Sequence, residues 1–196
     1  MNKKELTEAD IRTKFITPAL VGPEGKWDVM SQVREEVYFT KGRVIVRGKT
    51  VKRGEAKKAD YLLYYKPGIP IAVIEAKDNN HPVGGGMSQA LEYAEILDVP
   101  FAFSSNGDAF LEHDRMRIDG PVERELQLSQ FPSPGELWAR YQVAKGITPS
   151  QERVAAQDYY DDGSGKTPRY YQLIAINRTR GGSASLDRIC HFLSGA

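Results

Sequence analysis

The chain of 196 residues holds a single cysteine, Cys190. That excludes an internal disulfide framework and sets the expectation of a reducing, cytoplasmic setting. Long apolar runs are also missing. None approaches the roughly 20 residues of a membrane span, so no membrane partner is expected. The first residues, Met-Asn-Lys-Lys-Glu-Leu-Thr-Glu, lack the apolar core of a secretory signal. There is no internal repeat, which argues against a solenoid. Neither charge sign dominates: 27 basic against 26 acidic residues leave a net charge of +1. The balance says little about partners, because the charges are unevenly spread. Between Lys41 and Lys58 lie eight basic residues and one acid, Glu55. A solvated, lysine-guarded hairpin edge and a phosphate-contacting ribbon explain that run equally well. Beside an acidic catalytic centre it favours DNA.

What the chain does have is a globular composition, 40% hydrophobic, in a length that fits one domain with additional structure. Thr7-Glu8-Ala9-Asp10 has the form of a capping box, and Ile11, Phe15 and Ile16 continue it as a helical stripe that should stop near Pro18. Val29 to Val51 reads as two or three strands joined by hairpins. Two central strands follow, starting at Asp60 and Ile71, with apolar residues on both faces. His81-Pro-Val-Gly-Gly-Gly86 is a loop. Ser88–Leu97 then reads as a helix buried through Ala90, Leu91, Ala94 and Leu97. A short strand, Phe101-Ala-Phe103, leads to the Asn106-Gly107 turn and Ala109-Phe-Leu111. Ser133-Pro134-Gly-Glu136 and Thr148-Pro149-Ser-Gln151 each announce a helix, over roughly 134–144 and 149–160. The fold class expected is α/β, with a mixed central sheet flanked by helices and a C-terminal helical extension.

The chemistry concentrates in Asp60-Tyr-Leu-Leu-Tyr-Tyr65, a Lys-Pro-Gly turn, and Ile71-Ala-Val-Ile-Glu75-Ala-Lys77. If the turn centres near Gly68, antiparallel pairing sets Asp60 beside Glu75 and Ala76. Glu75 and Lys77, two residues apart, project to one face. Two carboxylates so close repel unless a cation holds them, and an all-oxygen site suits Mg²⁺ or Mn²⁺. Such an ion polarises a phosphodiester and acidifies a water, while Lys77 positions that water or steadies developing negative charge. The bland alternative is a surface ion pair of little energetic value.

These residues resemble the PD-(D/E)xK nuclease superfamily, with Asp60 as first acid and Glu75-Ala76-Lys77 as the E-x-K. Ala59 replaces the nominal proline, which carries none of the chemistry. Gln89-Ala-Leu-Glu-Tyr93 matches the Gln-x-x-x-Tyr motif of the RecB-like branch. The resemblance implies that Asp60, Glu75 and Lys77 are catalytic, and that Asp60, Glu75 and the Ala76 carbonyl hold the metal. It also implies that Gln89 and Tyr93 contact DNA. Glu8 stands where such nucleases carry a helical acid bounding the metal site, with Asp10 as its alternative. The expected fold is thus restriction-endonuclease-like.

Gly163-Ser-Gly-Lys166-Thr167 imitates a phosphate-binding loop, but Tyr160 stands where a glycine is needed, no apolar strand precedes it and Pro168 follows at once. It reads as linker. Pro168-Arg169-Tyr170-Tyr171-Gln172 resembles the Q-motif that opens superfamily 2 helicase motors, which implies adenine contacts by Arg169 and Gln172. An amphipathic helix start would explain the same residues. Nuclease, helical connection and Q-motif, in that order, resemble the R subunit of type I restriction endonucleases. The division expected is 1–130 nuclease core, 131–160 helical connector, and 161–180 linker with the start of the motor. Residues 181–196 read as a truncated, non-native tail, disordered or artefactual. The resemblance implies Mg²⁺-dependent cleavage of double-stranded DNA, ATP used only by the full-length motor, and partnership with modification and specificity subunits. Two rivals remain: a free-standing resolvase or repair nuclease of the same fold, and a non-catalytic DNA-binding or assembly module.

Overall fold

The computed structural model describes residues 2–40, 45–47, 50–52, 56–148 and 152, the side chains of residues 40 and 45–52 excepted. Within them the chain builds a six-stranded mixed sheet. Its strands are β1 (Val33–Thr40), β4 (Ala56–Lys66), β5 (Ile69–Ala76), β6 (Phe101–Ser105), β7 (Ala109–Asp114) and β8 (Glu123–Gln127), in that spatial order. Between β1 and β4 a separate two-stranded ribbon pairs β2 (Ile45–Arg47) with β3 (Thr50–Lys52), as the expectation of hairpins over Val29–Val51 required. Of the basic run, Lys57 pairs with Glu92 and Lys58 with Glu36.

The β4–β5 hairpin has the anticipated register. Gly68, at φ +81°, supplies the left-handed turn residue, and Tyr61 faces Ile74 while Leu62 faces Val73. Every neighbouring pair is antiparallel except β5 and β6. Parallel strands need a long crossover, and α3 (Met87–Leu97) provides it. Asp98, at φ +54°, ends α3 in a left-handed cap. Gly107, at φ +84°, makes the tight turn into β7 that Asn106-Gly107 signalled.

The N-terminal helix starts as expected. Thr7 and Asp10 form a reciprocal capping box at the head of α1 (Glu8–Ile11). It does not stop at Pro18, however. A π-helical segment, Arg12–Ile16, follows, and α2 (Thr17–Val21) continues beyond the proline. Pro18 has no N–H to donate, and its ring would crowd the carbonyl four residues back in a regular helix. The wide turn, closed by the Thr17 N–H on the Arg12 carbonyl, accommodates this. It also reconciles the spacing of Ile11, Ile16 and Leu20, all fully buried, since the five-residue step from Ile11 to Ile16 spans the wide turn.

The sheet is covered on both sides. One apolar cluster joins Ile11, Ile16 and Leu20 to Phe101, Phe103 and Phe131; the other joins Phe39, Leu62 and Val73 to α3 through Met87, Ala90 and Leu97. Burying each of the larger side chains among these contributes about 1.5–3 kcal/mol. The final described helix, α4 (Pro134–Lys145), opens with the Ser133–Glu136 capping box read from sequence. Leu137 and Trp138 of α4 enter the first cluster, so the start of the expected connector shares the core. Arg140 of α4 also bridges buried Glu112 and Asp114 of β7. Strand β8 was not anticipated: only Leu126 of its five residues is buried, so no alternation marks it. The expected second helix apart from Glu152, the linker, Arg169, Gln172 and the tail 181–196 lie outside the described residues. Among the described residues no helix is long and apolar enough to cross a membrane.

Candidate active site

The end of the β4–β5 hairpin remote from its turn brings Asp60, Glu75 and Lys77 together. Asp60 is 5% exposed and Glu75 3% exposed. Extending the register by one step sets Asp60 opposite Glu75, and the Ala76 N–H donates to Asp60 Oδ2 at 2.8 Å. Lys77 Nζ donates to Glu75 Oε1 at 3.0 Å. The Lys77 N–H is bound to the Ser105 carbonyl, which ties the strand end to β6.

Two further acids compete for the position of bounding carboxylate. Glu8 Oε2 lies 3.7 Å from Lys77 Nζ. Asp10 is turned to its own helix, where Lys14 and Thr7 hold its carboxyl down at about 2. Glu8, not Asp10, therefore faces the hairpin.

The electrostatics follow from the burial. Desolvation pushes the Glu75 carboxyl up to about 7, and the Asp60 charge pushes the same way against the pull of Lys77. Glu75 Oε2 is buried and has no hydrogen-bond partner among the described residues. Burial works against the charge on Lys77, but Glu75 and Glu8 outweigh it and raise its pKa.

Those features fit a hard divalent cation. The donors are all oxygens, and the partnerless Glu75 oxygen is an acceptor awaiting a positive group. Among the described residues no three acidic, histidine or cysteine side chains converge tightly enough to hold an ion by themselves. Asp60 and Glu75, with the Ala76 carbonyl, are the set available. Two carboxylates suffice for Mg²⁺, which keeps several of its waters.

Gln89 and Tyr93, the pair expected to contact DNA, are hydrogen-bonded to each other within the site. Gln89 Oε1 accepts from Lys77 Nζ at 3.4 Å, and its Nε2 donates to the Tyr93 hydroxyl at 2.7 Å. Both ends of the amide thus have partners inside the site. Tyr93 is buried, its ring meeting Phe39 edge-on with centroids 5.0 Å apart. It shares the buried face of α3 with Ala90, Ala94 and Leu97.

Two residues escaped the sequence reading. Gly86, at the start of α3, donates its N–H to Ser104 Oγ, and a Cβ there would stand 2.9 Å from Glu75 Cγ. The Gly84-Gly-Gly86 run was the available signal. Arg12 places NH1 3.5 Å from Asp60 Oδ1, and also binds Glu35 and Glu36. Nothing local in the sequence marks it.

Residues 43–116 match the family described as Type I restriction enzyme R protein N terminus. An Escherichia coli protein, the type I restriction enzyme EcoAI endonuclease subunit, is 53% identical over 180 residues, covering 91% of this chain and 22% of that protein. A solved fragment assigned as an HsdR subunit of a type I restriction enzyme from Vibrio vulnificus YJ016 superposes with a TM-score of 0.75. It is 43% identical and covers 92% of this chain and 33% of that one. The chain thus spans about a fifth of the curated relative and a third of the solved one. Residues 43–116 thus carry a domain of the type I restriction enzyme R protein N-terminal family.

Proposed function

We propose that this chain is the nuclease part of a type I restriction R subunit, hydrolysing phosphodiesters of double-stranded DNA with Mg²⁺ or Mn²⁺. The observation that carries the reading is the buried Glu75 carboxylate, one oxygen without a partner among the described residues, beside buried Asp60 and half-buried Lys77. A structural ion pair would satisfy both oxygens; a metal ligand keeps one in reserve. Descent from a restriction-endonuclease-like fold is supported by the mixed sheet and the order of the motif residues along it.

Asp60, Glu75 and the Ala76 carbonyl would hold the cation, with Glu8 bounding the site. When bound, the ion would supply Lewis acidity toward the phosphate and a lowered pKa for water. The protein's own groups do the rest. The Ala76 N–H fixes one oxygen of Asp60, which orients the other. Glu75 and Gln89 occupy two of the three Lys77 protons, so the ammonium is aimed before substrate arrives. Glu8 lies 3.7 Å from the ammonium, whose third proton can meet a phosphate oxygen as negative charge develops. Gln89, itself held by Tyr93, serves this aim as well as any contact with DNA.

Sequence-independent binding through phosphates fits a domain that leaves recognition to a specificity subunit and methylation to a modification subunit. Its affinity should fall steeply with salt. The identity with a restriction endonuclease subunit favours this setting over a free-standing repair nuclease. The test places Asp60→Ala and Lys77→Ala in the full-length assembly with its partners and ATP. Cleavage should be lost while ATP hydrolysis continues. Undiminished cleavage by either variant would overturn the reading.

A further inference from the structure

Two departures from regular backbone meet beside Asp60. One is the π-helical segment that begins at Arg12. The other is Glu36, at φ +52° within β1, where a side chain other than glycine is strained. The β1–β4 register, Glu35 on Tyr61 and Val37 on Ala59, brackets Asp60 with Glu36. Of the two positive-φ residues that are not glycine among those described, Asp98 caps a helix; Glu36 has no such excuse.

The strain has a result. Arg12 NH1 meets Glu36 Oε1 at 3.0 Å, NH2 meets Glu35 Oε2 at 3.2 Å, and the guanidinium lies over the Tyr61 ring at 5.4 Å. Only then does NH1 reach Asp60 Oδ1, at 3.5 Å. The side chain is 12% exposed. It is anchored by the two glutamates and merely leans on the aspartate. An arginine placed to make a strong structural pair with Asp60 would use its fork on it.

We propose that Arg12 is a positioning residue that sets how tightly the hairpin holds its cation. Its fixed positive charge steadies Asp60 when no ion is present, and the Glu35–Glu36 anchor stops it from occupying the ion's place. This rests on the metal-binding reading above and deepens it. A fixed positive charge beside a ligating carboxylate weakens divalent binding, so losing it should tighten the ion by roughly tenfold. A merely structural arginine predicts the opposite, since its loss would loosen Asp60.

The test is Mn²⁺ titration of the full 196-residue chain, followed by electron paramagnetic resonance, with Asp60→Asn as the blank. Arg12→Gln should bind Mn²⁺ about tenfold more tightly than wild type. Glu36→Gln, which reduces that ion pair to a neutral hydrogen bond and lets the guanidinium move onto Asp60, should bind several-fold more weakly. It keeps the question answerable if Arg12→Gln does not fold. Equal or weaker binding by Arg12→Gln, or unchanged binding by Glu36→Gln, overturns the proposal and leaves the metal reading standing. A wild-type chain that binds no more Mn²⁺ than the blank overturns both.

Discussion

Replacing Glu75 by glutamine should stabilise the metal-free protein at alkaline pH. The glutamate is 3% exposed, and burial together with Asp60 raises its carboxyl from 4.5 to about 7. Between those two values the native state binds the proton that the unfolded chain has lost. Stability is therefore undiminished below about pH 4.5 and declines as pH rises to 7, beyond which the full cost persists. A rise of that size corresponds to about 3 kcal/mol at pH 8, and to less than about 1 kcal/mol at pH 5. Glutamine keeps the shape and removes the charge, so Glu75→Gln should recover about 3 kcal/mol at pH 8, or roughly 6–12 °C in Tm. Thermal unfolding in chelator at pH 5 and pH 8 measures it. With saturating Mg²⁺ the order should reverse, because only the native wild type gains from binding. A gain equal at both pH values, or no gain at pH 8, would refute the assignment of a strained, ion-awaiting carboxylate.

Two further substitutions test the surroundings. Gly86→Ala should push Glu75 aside, because the new Cβ would lie 2.9 Å from Glu75 Cγ and 3.0 Å from Ser104 Oγ. Mn²⁺ affinity should fall, with a stability loss of about 1–3 kcal/mol, and titration of a folded variant with wild-type affinity would contradict it. Arg140→Ala should cost about 2–3 kcal/mol, since Glu112 is 1% exposed and would keep, among the described residues, Arg124 alone as its ion-pair partner. Urea unfolding that matches wild type would show that α4 is not pinned by this pair.

The hairpin was legible because its information is local. A Pro-Gly turn fixes the register, and the register alone sets Asp60 beside Glu75 and Ala76. Capping boxes at Thr7 and Ser133 were legible for the same reason. Arg12 was not, because its partners come from β1 and β4, joined to it only by the packing of a helix over the sheet. The continuation of that helix past Pro18 was hidden too: the rule that proline ends a helix holds for α geometry, and a π turn avoids its premise. The helical stripe read from sequence, Ala90, Leu91, Ala94 and Leu97, did not include Tyr93. The structure buries the tyrosine against Phe39 and leaves Leu91 half-buried. An aromatic ring can fill the core while its hydroxyl still reaches a polar partner.

The wide turn between Arg12 and Ile16 also makes the helix a counted length. Glu8 and Arg12 on one side of it address Lys77 and Asp60; Ile16 and Leu20 on the other address the core. Removing one residue from the segment would turn one half about 100° relative to the other, one helical step. Either the two charges or the two apolar anchors would then point the wrong way. Descendants of this chain can exchange side chains along the helix one at a time, but a single insertion or deletion there asks the site and the core to change together.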